Sequence, residues 1–310
     1  MSPRVSIIMP LFNKAPYVKK AVESASAQTF KDWELIVVDD GSTDGGLQVV
    51  LDLADERCHV YSQGNLGVSE ARNSGVRLAK GELLAFLDAD DWWEETFLEE
   101  MAKMVEEYPE ASLWACNYWY VKRGKTRVAV KQETGYFEYP ESYLRNEAMP
   151  VTSSSVLIRK EAFESAGGFP VGIKLGEDFL LWSRIALEHK FAFLNKLLAY
   201  YNNDVPSAAR ATRNLYPPEQ HMLFHLEHLE GRTEWKALCD KLRVNGLLEY
   251  WLSNKYHKAA LKELRKVDWK KQPKGVYRLY RIPRPLVRIQ QRIKRVGSKG
   301  KQVLINLIDK

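Results

Sequence analysis

Leu83-Leu84-Ala85-Phe86-Leu87 runs directly into Asp88-Ala89-Asp90-Asp91. Five uninterrupted apolar residues read as a strand buried on both faces, and the acids that end it read as the mouth of a site. Two stretches upstream are built the same way. Val5-Ser6-Ile7-Ile8-Met9 ends in Pro10-Leu11-Phe12-Asn13, and Trp33–Val38 ends in Asp39-Asp40-Gly41-Ser42. Between them Tyr17–Ala27 carries Val18, Ala21, Val22 and Ala25 at helical spacing. Leu47–Leu53 and Val68–Ala79 are further helix candidates, and Val60–Ser62 is a weak strand. Strands alternating with helices imply crossover units and a mostly parallel α/β sheet with helices on both faces. Ligands in such sheets sit beyond the carboxyl ends of the strands, so three strand ends deliver polar groups to one rim.

Downstream, Glu94–Tyr108 reads as a helix and Leu113–Tyr120 with Thr126–Val130 as a hairpin around Arg123-Gly124-Lys125. Ser153–Ile158 reads as a strand and Lys160–Ala166 as a helix. Gly167–Pro170 is a turn, Asp178–Glu188 a helix opened by Gly176-Glu177, and Phe191–Leu194 and Leu198–Tyr201 two short strands. From Pro217 the pattern turns almost wholly helical, which divides the chain into a domain over 1–215 and a helical, basic region over 216–310. No repeat shows at periods of 20 to 50 residues.

Composition excludes several classes. Of the 310 residues, 45% are hydrophobic and 28% charged, which rules out a wholly disordered chain. No run of about 18 apolar residues offers a membrane-spanning helix, and the first residues lack the apolar stretch and cleavage site of a signal peptide. Cys58, Cys116 and Cys239 make neither a disulfide framework nor a metal site, so a cytoplasmic setting is expected. The net charge of +6 is unevenly spread: residues 255–310 hold 18 lysines and arginines against three acids, leaving 28 basic and 37 acidic groups in the rest.

Residues two apart on a strand face the same way, so Asp88 and Asp90 can aim into one pocket. Their hard oxygens suit Mn²⁺ or Mg²⁺, which add waters and substrate phosphates as further ligands. The alternative is a helix cap by Asp90 or Asp91. Asp39-Asp40 suits either a nucleoside hydrogen-bond acceptor or an Asx turn, and Phe12 either stacks on a base or fills the core. Glu177-Asp178 is either a base motif or favourable charge at a helix N-terminus. His221, His225 and His228, four and three apart, read as a polar helical stripe rather than a metal face. Trp92-Trp93 and the Trp114, Tyr118, Trp119, Tyr120 cluster suit acceptor stacking or packing alike.

Taken in order, five segments resemble the inverting family 2 glycosyltransferases: Val5–Asn13; Ala27-Gln28-Thr29-Phe30 with Glu34–Ser42; Asn65-Leu66-Gly67 with Ala71-Arg72-Asn73; Gly81-Glu82 through Asp91; and Gly176-Glu177-Asp178. They span residues 4–205, about two thirds of the chain. The resemblance implies a GT-A fold, a nucleotide-sugar donor with UDP favoured, a divalent metal (Mn²⁺ or Mg²⁺), and a glycan or lipid-linked acceptor in bacterial surface polysaccharide synthesis. Carried over by position, Asp40, Arg72 and Phe12 contact the base, with Pro10 and Asn13 lining its pocket and Asp39 beside it. Phe12 replaces the family's commoner tyrosine, which keeps stacking and removes a phenol contact. Asp88, with Ala89, reaches the ribose or metal, Asp90 holds the metal, and Asp91 is a second candidate ligand. Asp178 is the base and Glu177 its helper. Asn203, Ser207 and Arg210 lie where relatives carry polar groups over the diphosphate.

In the tail, Leu286, Ile289, Ile293 and Val296 share one helical face and Arg288, Arg292 and Arg295 another. Arg278, Arg281 and Arg284 extend the charge upstream, with Pro283 and Pro285 as breaks and Val303–Ile308 as a final apolar stretch. Such a pattern fits a peripheral contact with an anionic membrane on its cytoplasmic face. A nucleotide-binding oxidoreductase would put G-x-G-x-x-G after the first strand, where Pro10–Asn13 stands. A nucleic-acid-binding protein would carry a basic body, and this body is acidic, so no nucleic acid is expected.

Overall fold

A computed structural model describes residues 2–146, 148–205 and 215–289. The chain divides into two compact units, Met1–Leu238 and Cys239–Lys310.

The first unit opens with β1 (Val5–Leu11), α1 (Ala15–Ser26), β2 (Trp33–Asp39), α2 (Gly46–Leu53), β3 (Cys58–Ser62), α3 (Val68–Leu78) and β4 (Leu83–Phe86). The apolar-rich runs are buried as expected: every residue of β2 and β4 is inside, Glu34 and Asp39 of β2 included, as are Val18, Ala21, Val22 and Ala25 of α1. Strand pairing is parallel throughout β3-β2-β1-β4. α3 lies close over β1 because Gly75 has no side chain; a Cβ there would stand 2.5 Å from Ile8 Cγ2.

The chain then forms β5 (Trp92–Trp93), α4 (Phe97–Glu107), β6 (Ala111–Lys122), β7 (Lys125–Val128), β8 (Gly135–Phe137), α5 (Tyr139–Arg145), β9 (Val156–Arg159), α6 (Lys160–Ser165), α7 (Glu177–Ile185) and β10 (Lys190–Asn202). The sheet runs β3-β2-β1-β4-β9-β6-β10-β5, with β7 on β6 and β8 on β10. β9 is antiparallel to both β4 and β6, while β6 and β10 are parallel. The six strands β1, β2, β3, β4, β6 and β10 therefore point the same way, and their carboxyl ends share one rim.

Several local expectations change. Ser153–Ser155 is a 3-10 turn and only Val156–Arg159 is strand, because Thr152 and Ser155 bond each other's backbone in a capping box. The two short strands expected over 191–201 are one strand, bent by register shifts on either side of Leu197 where exposed Asn195 and Lys196 interrupt the apolar pattern. The helix expected from Glu94 starts at Phe97, since Trp92 and Trp93 first pair with Tyr200 and Ala199. The histidines are not a helical stripe. His221, His225 and His228 lie in or beside three 3-10 turns, Pro218–Gln220, Met222–Phe224 and Glu227–Leu229. Burial first of all lowers the His221 and His228 pKa values to about 4. His228 Nε2 lies 2.7 Å from Ser183 Oγ inside the fold.

After α8 (Thr233–Gly246), the second unit holds α9 (Leu248–Leu252), α10 (His257–Leu264) and α11 (Lys274–Arg281). A buried ion pair, Arg243 to Glu263 at 3.1 Å, ties its start to α10. Pro283 separates α11 from a helical stretch at 284–289, and Pro285 stands in that stretch's first turn. Ile293, Val296, Arg292, Arg295 and Val303–Ile308 lie outside the described residues, as do Ser207 and Arg210.

Candidate active site

The loops leaving β1 and β2 are stitched together. Asn13 has φ 51°, a left-handed conformation that asparagine tolerates. Its backbone N–H donates to Ser42 Oγ at 3.1 Å and its Oδ1 accepts from the Thr43 N–H at 2.9 Å. Next to it, Ala15 N–H donates to Asp44 Oδ2 at 2.8 Å. Asn13 therefore shapes the pocket through the loop it holds. Phe12 is 40% exposed on this rim, an open ring face rather than a core residue, and Pro10 is half-buried in β1.

Asp39 and Asp40 are both buried. Asp39 Oδ1 accepts the Ser42 N–H at 3.1 Å. Asp40 holds the next loop: its Oδ1 accepts Gln63 Nε2 and the Leu66 N–H, and its Oδ2 accepts the Gly67 N–H, each at 2.8 Å. Gln63 is a site residue that sequence reasoning missed.

At the end of β4, Ala89 is buried and the three acids diverge. Asp91 is fixed: Oδ2 accepts the Ser154 hydroxyl at 2.6 Å and Oδ1 the Asn202 N–H at 2.8 Å. Ser154 Oγ also lies 3.1 Å from the Asp88 N–H, which donates to it. Burial, with Asp90 and Asp88 adding to it, pushes the Asp91 carboxyl well up. Asp88 Oδ1 accepts Arg72 Nη2 at 2.6 Å. Asp90 Oδ2 receives the Lys14 ammonium. Burial raises the Asp90 pKa and Asp88 adds to the rise, against the pull of Lys14. Ser154 and Lys14 also escaped the sequence reading. The serine run carried no pattern, and a lysine after Asn13 gave no hint of its partner 76 positions away.

Arg72 joins the end of β4 to the turn that opens α7. From α3 its buried side chain reaches Asp88 with Nη2 and Glu177 Oε1 with Nη1 at 3.1 Å. Among the described residues its Nε is buried with no hydrogen-bond partner. Burial opposes the charge, but Asp88 and Glu177 outweigh it and hold the guanidinium protonated.

Glu177 and Asp178 open α7 behind Gly176, whose φ is 83°. A Cβ on Gly176 would stand 2.3 Å from Met222 Sδ. Met222 belongs to the 3-10 turn pinned to the same loop by its N–H on the Leu175 carbonyl at 3.0 Å. Asp178 Oδ1 accepts the N–H of the next residue, Phe179, at 2.7 Å. Burial, then the neighbouring Glu177, raises the Asp178 pKa to about 7 although Arg72 pulls it down. Tyr143 is raised to about 12 by burial and then by Asp178. A carboxyl titrating near neutrality at the edge of a cleft is suited to taking a proton.

The aromatic candidates are mostly committed to packing. Trp93 is buried and stacks on Phe97 with centroids 4.1 Å apart, and Trp114 is fully buried. Trp92 stacks on Tyr200 and carries the Lys20 ammonium over its ring. Tyr118 donates to the Met149 carbonyl at 2.8 Å. Tyr120 stacks on Tyr201 and takes a bond from Asn203, so Asn203 is bound on this side of the fold.

A crossover-built sheet whose strand ends carry D-x-D on one side and an E-D turn on the other is the architecture of GT-A glycosyltransferases. The family model for glycosyl transferase family 2 matches residues 6–167, and the chain belongs to that family. Its relatives include the glycosyltransferase GlyA of Streptococcus pneumoniae, 30% identical over 64% of this chain and 30% of GlyA. TuaG of Bacillus subtilis, a proposed teichuronic acid biosynthesis glycosyltransferase, is 30% identical over 69% of this chain and 87% of TuaG. The chain spans under two thirds of the length of several relatives, GlyA among them. Among solved structures, residues 1–349 of Staphylococcus aureus TarS with UDP-GlcNAc superpose with a TM-score of 0.71 at 20% identity, covering 89% of this chain and 83% of that one. The mannosyltransferase PcManGT of Pyrobaculum calidifontis, with GDP-Man and Mn²⁺, gives 0.51 at 21% identity over 88% and 89%. These confirm the expected GT-A fold. One of these relatives, TuaG, carries a name that refers to teichuronic acid biosynthesis. No helix among the described residues is long and apolar enough to cross a membrane.

Proposed function

We propose that this chain transfers a sugar, with inversion, from a UDP-sugar to a hydroxyl of a glycan or lipid-linked acceptor. The observation that carries this reading is Arg72: one buried guanidinium grips Asp88 at the donor rim and Glu177 of the base turn, so both halves of a transfer reaction face one cleft. The solved relatives that carry UDP-GlcNAc and GDP-Man support a nucleotide-sugar donor.

Asp178 takes the acceptor proton as the hydroxyl attacks, and its pKa near 7 suits that task. Glu177 holds Arg72, and its charge adds to burial in keeping the base raised. Attack opposite the leaving group gives a β-linkage from an α-linked donor. Phe12 offers its exposed ring to the base. Asp39 faces the nucleoside, and Asp40 serves it through the 63–67 loop.

Among the described residues no cluster of three or more His, Cys, Asp or Glu makes a complete metal cage. Asp88 and Asp90 nevertheless fit a Mn²⁺ or Mg²⁺ that takes its other ligands from water and diphosphate, and the Lys14 ammonium on Asp90 marks that spot as attractive to a cation. When bound, the ion supplies charge neutralisation for the departing diphosphate. Asp91 supports these ligands from behind, with both oxygens held by Ser154 and Asn202.

A peripheral contact with anionic lipid completes the reading. Ile282, Leu286 and Ile289 are exposed beside exposed Arg278 and Arg281. Arg284 and Arg288 have another task, donating to the Leu252 carbonyl at the end of α9. The decisive experiment is a hydrolysis screen across nucleotide sugars with Mn²⁺ or Mg²⁺. UDP-sugar turnover that is lost in Asp178→Asn while UDP still binds is the expected result, and unchanged turnover in that variant would remove the base assignment.

A further inference from the structure

Among the described residues, Lys14 is a charged side chain of the proposed site that the reaction above leaves without a task. Its position is built. On one side Asn13, in its left-handed conformation, is tied to Ser42 and Thr43; on the other, Ala15 is tied to Asp44. The Lys14 carbonyl accepts the N–H groups of Tyr17 and Val18, each at 2.9 Å, as the first turn of α1 begins. With its backbone held on both sides, the side chain crosses to Asp90, and both side chains are only 19% exposed.

The three neighbouring acids are matched differently. Arg72 takes Asp88, and hydroxyl and backbone dipoles take Asp91. Asp90 takes Lys14. An ammonium and a divalent ion cannot share one carboxylate oxygen cheaply, because like charges in contact repel by several kcal/mol even at an effective dielectric constant of about 20. We propose that Lys14 is a tethered counter-cation that holds Asp90 in the free protein, yields it to the divalent ion, and then pairs with the diphosphate, so that tight metal binding requires the donor. This deepens the metal reading given above and rests on it.

The residue is a positioning residue for the metal, and the test reads metal occupancy rather than turnover. Free Mn²⁺ is followed by electron paramagnetic resonance as the full chain is titrated, with and without UDP, in the wild type, Lys14→Met, Lys14→Gln, Lys14→Arg and Asp90→Asn. If the ammonium leaves Asp90 open in about a tenth of free molecules, its removal tightens Mn²⁺ binding about tenfold without UDP. Lys14→Met and Lys14→Gln should both show this gain, and Lys14→Arg should stay near the wild type. The tightening of Mn²⁺ caused by UDP should shrink in Lys14→Met, and by linkage so should that of UDP caused by Mn²⁺. Thermal unfolding without metal verifies folding, and either neutral variant suffices for the comparison. Mn²⁺ affinity equal to or weaker than wild type in the folded neutral variants would overturn the proposal. Wild type and Asp90→Asn binding Mn²⁺ equally poorly, even with UDP, would overturn the metal assignment itself, and the lysine's role with it.

Discussion

Asp40 and Asp178 are two aspartates of the proposed site with opposite surroundings. Asp40 is buried and receives three N–H bonds from the 63–67 loop. Asp178 receives one, from the residue that follows it, and faces Glu177. The first carboxylate spends its charge on organising a loop. The second is left underserved, and burial lifts it toward neutrality. What lifts Asp178 is its burial first and then the charge of Glu177 beside it.

Changes that remove either member test the contrast. Asp178→Asn should lower kcat by about 10²–10⁴ with UDP affinity within about twofold, measured by steady-state kinetics and calorimetry. A loss of UDP binding of equal size would make Asp178 structural, like Asp40. Next comes Asp40→Asn, which sets an amide N–H against N–H donors. We expect about 2 kcal/mol of lost stability in denaturant unfolding, with weaker UDP binding following from the disordered loop and kcat at saturation little changed.

Gly176→Ala probes how the proposed base is held. The new Cβ meets Met222 and the residue keeps a positive φ, which costs an alanine about 1–2 kcal/mol. A roughly tenfold fall in kcat is expected, partly restored when Met222→Ala opens space. The contrast also has a pH signature. A base acts only when deprotonated, so the role proposed for Asp178 predicts that kcat/KM rises with pH through about 7. Stability runs the other way. The folded state holds this proton more tightly than the unfolded chain, so stability is present at acid pH and declines as pH climbs from about 4 through 7. Asp178→Asn should flatten both profiles. The smallest expected effect is in the second unit: Leu286→Asp with Ile289→Asp should lower recovery on anionic vesicles in a flotation assay without altering turnover of a soluble acceptor.

Three strands of the parallel half, β1, β2 and β4, were legible because burial on both faces makes them mostly apolar, whereas β3, half-buried to exposed, read only as a weak strand. The D-x-D and E-D segments were legible because each follows a recognisable boundary. What joins them was not. The bonds of Arg72 to Glu177, Ser154 to Asp91 and Lys14 to Asp90 cross 105, 63 and 76 positions, and no local period reports such pairing. The histidine spacing misled because a helical interval also fits successive 3-10 turns, and here the Met222 N–H goes to Leu175 rather than along a helix.

The stitching of Asn13 to Thr43 and of Ala15 to Asp44 has a practical corollary. The segments 10–15 and 39–46 behave as one cassette. Grafting either from a homologue alone would strand buttons without buttonholes, so the two should be transplanted together.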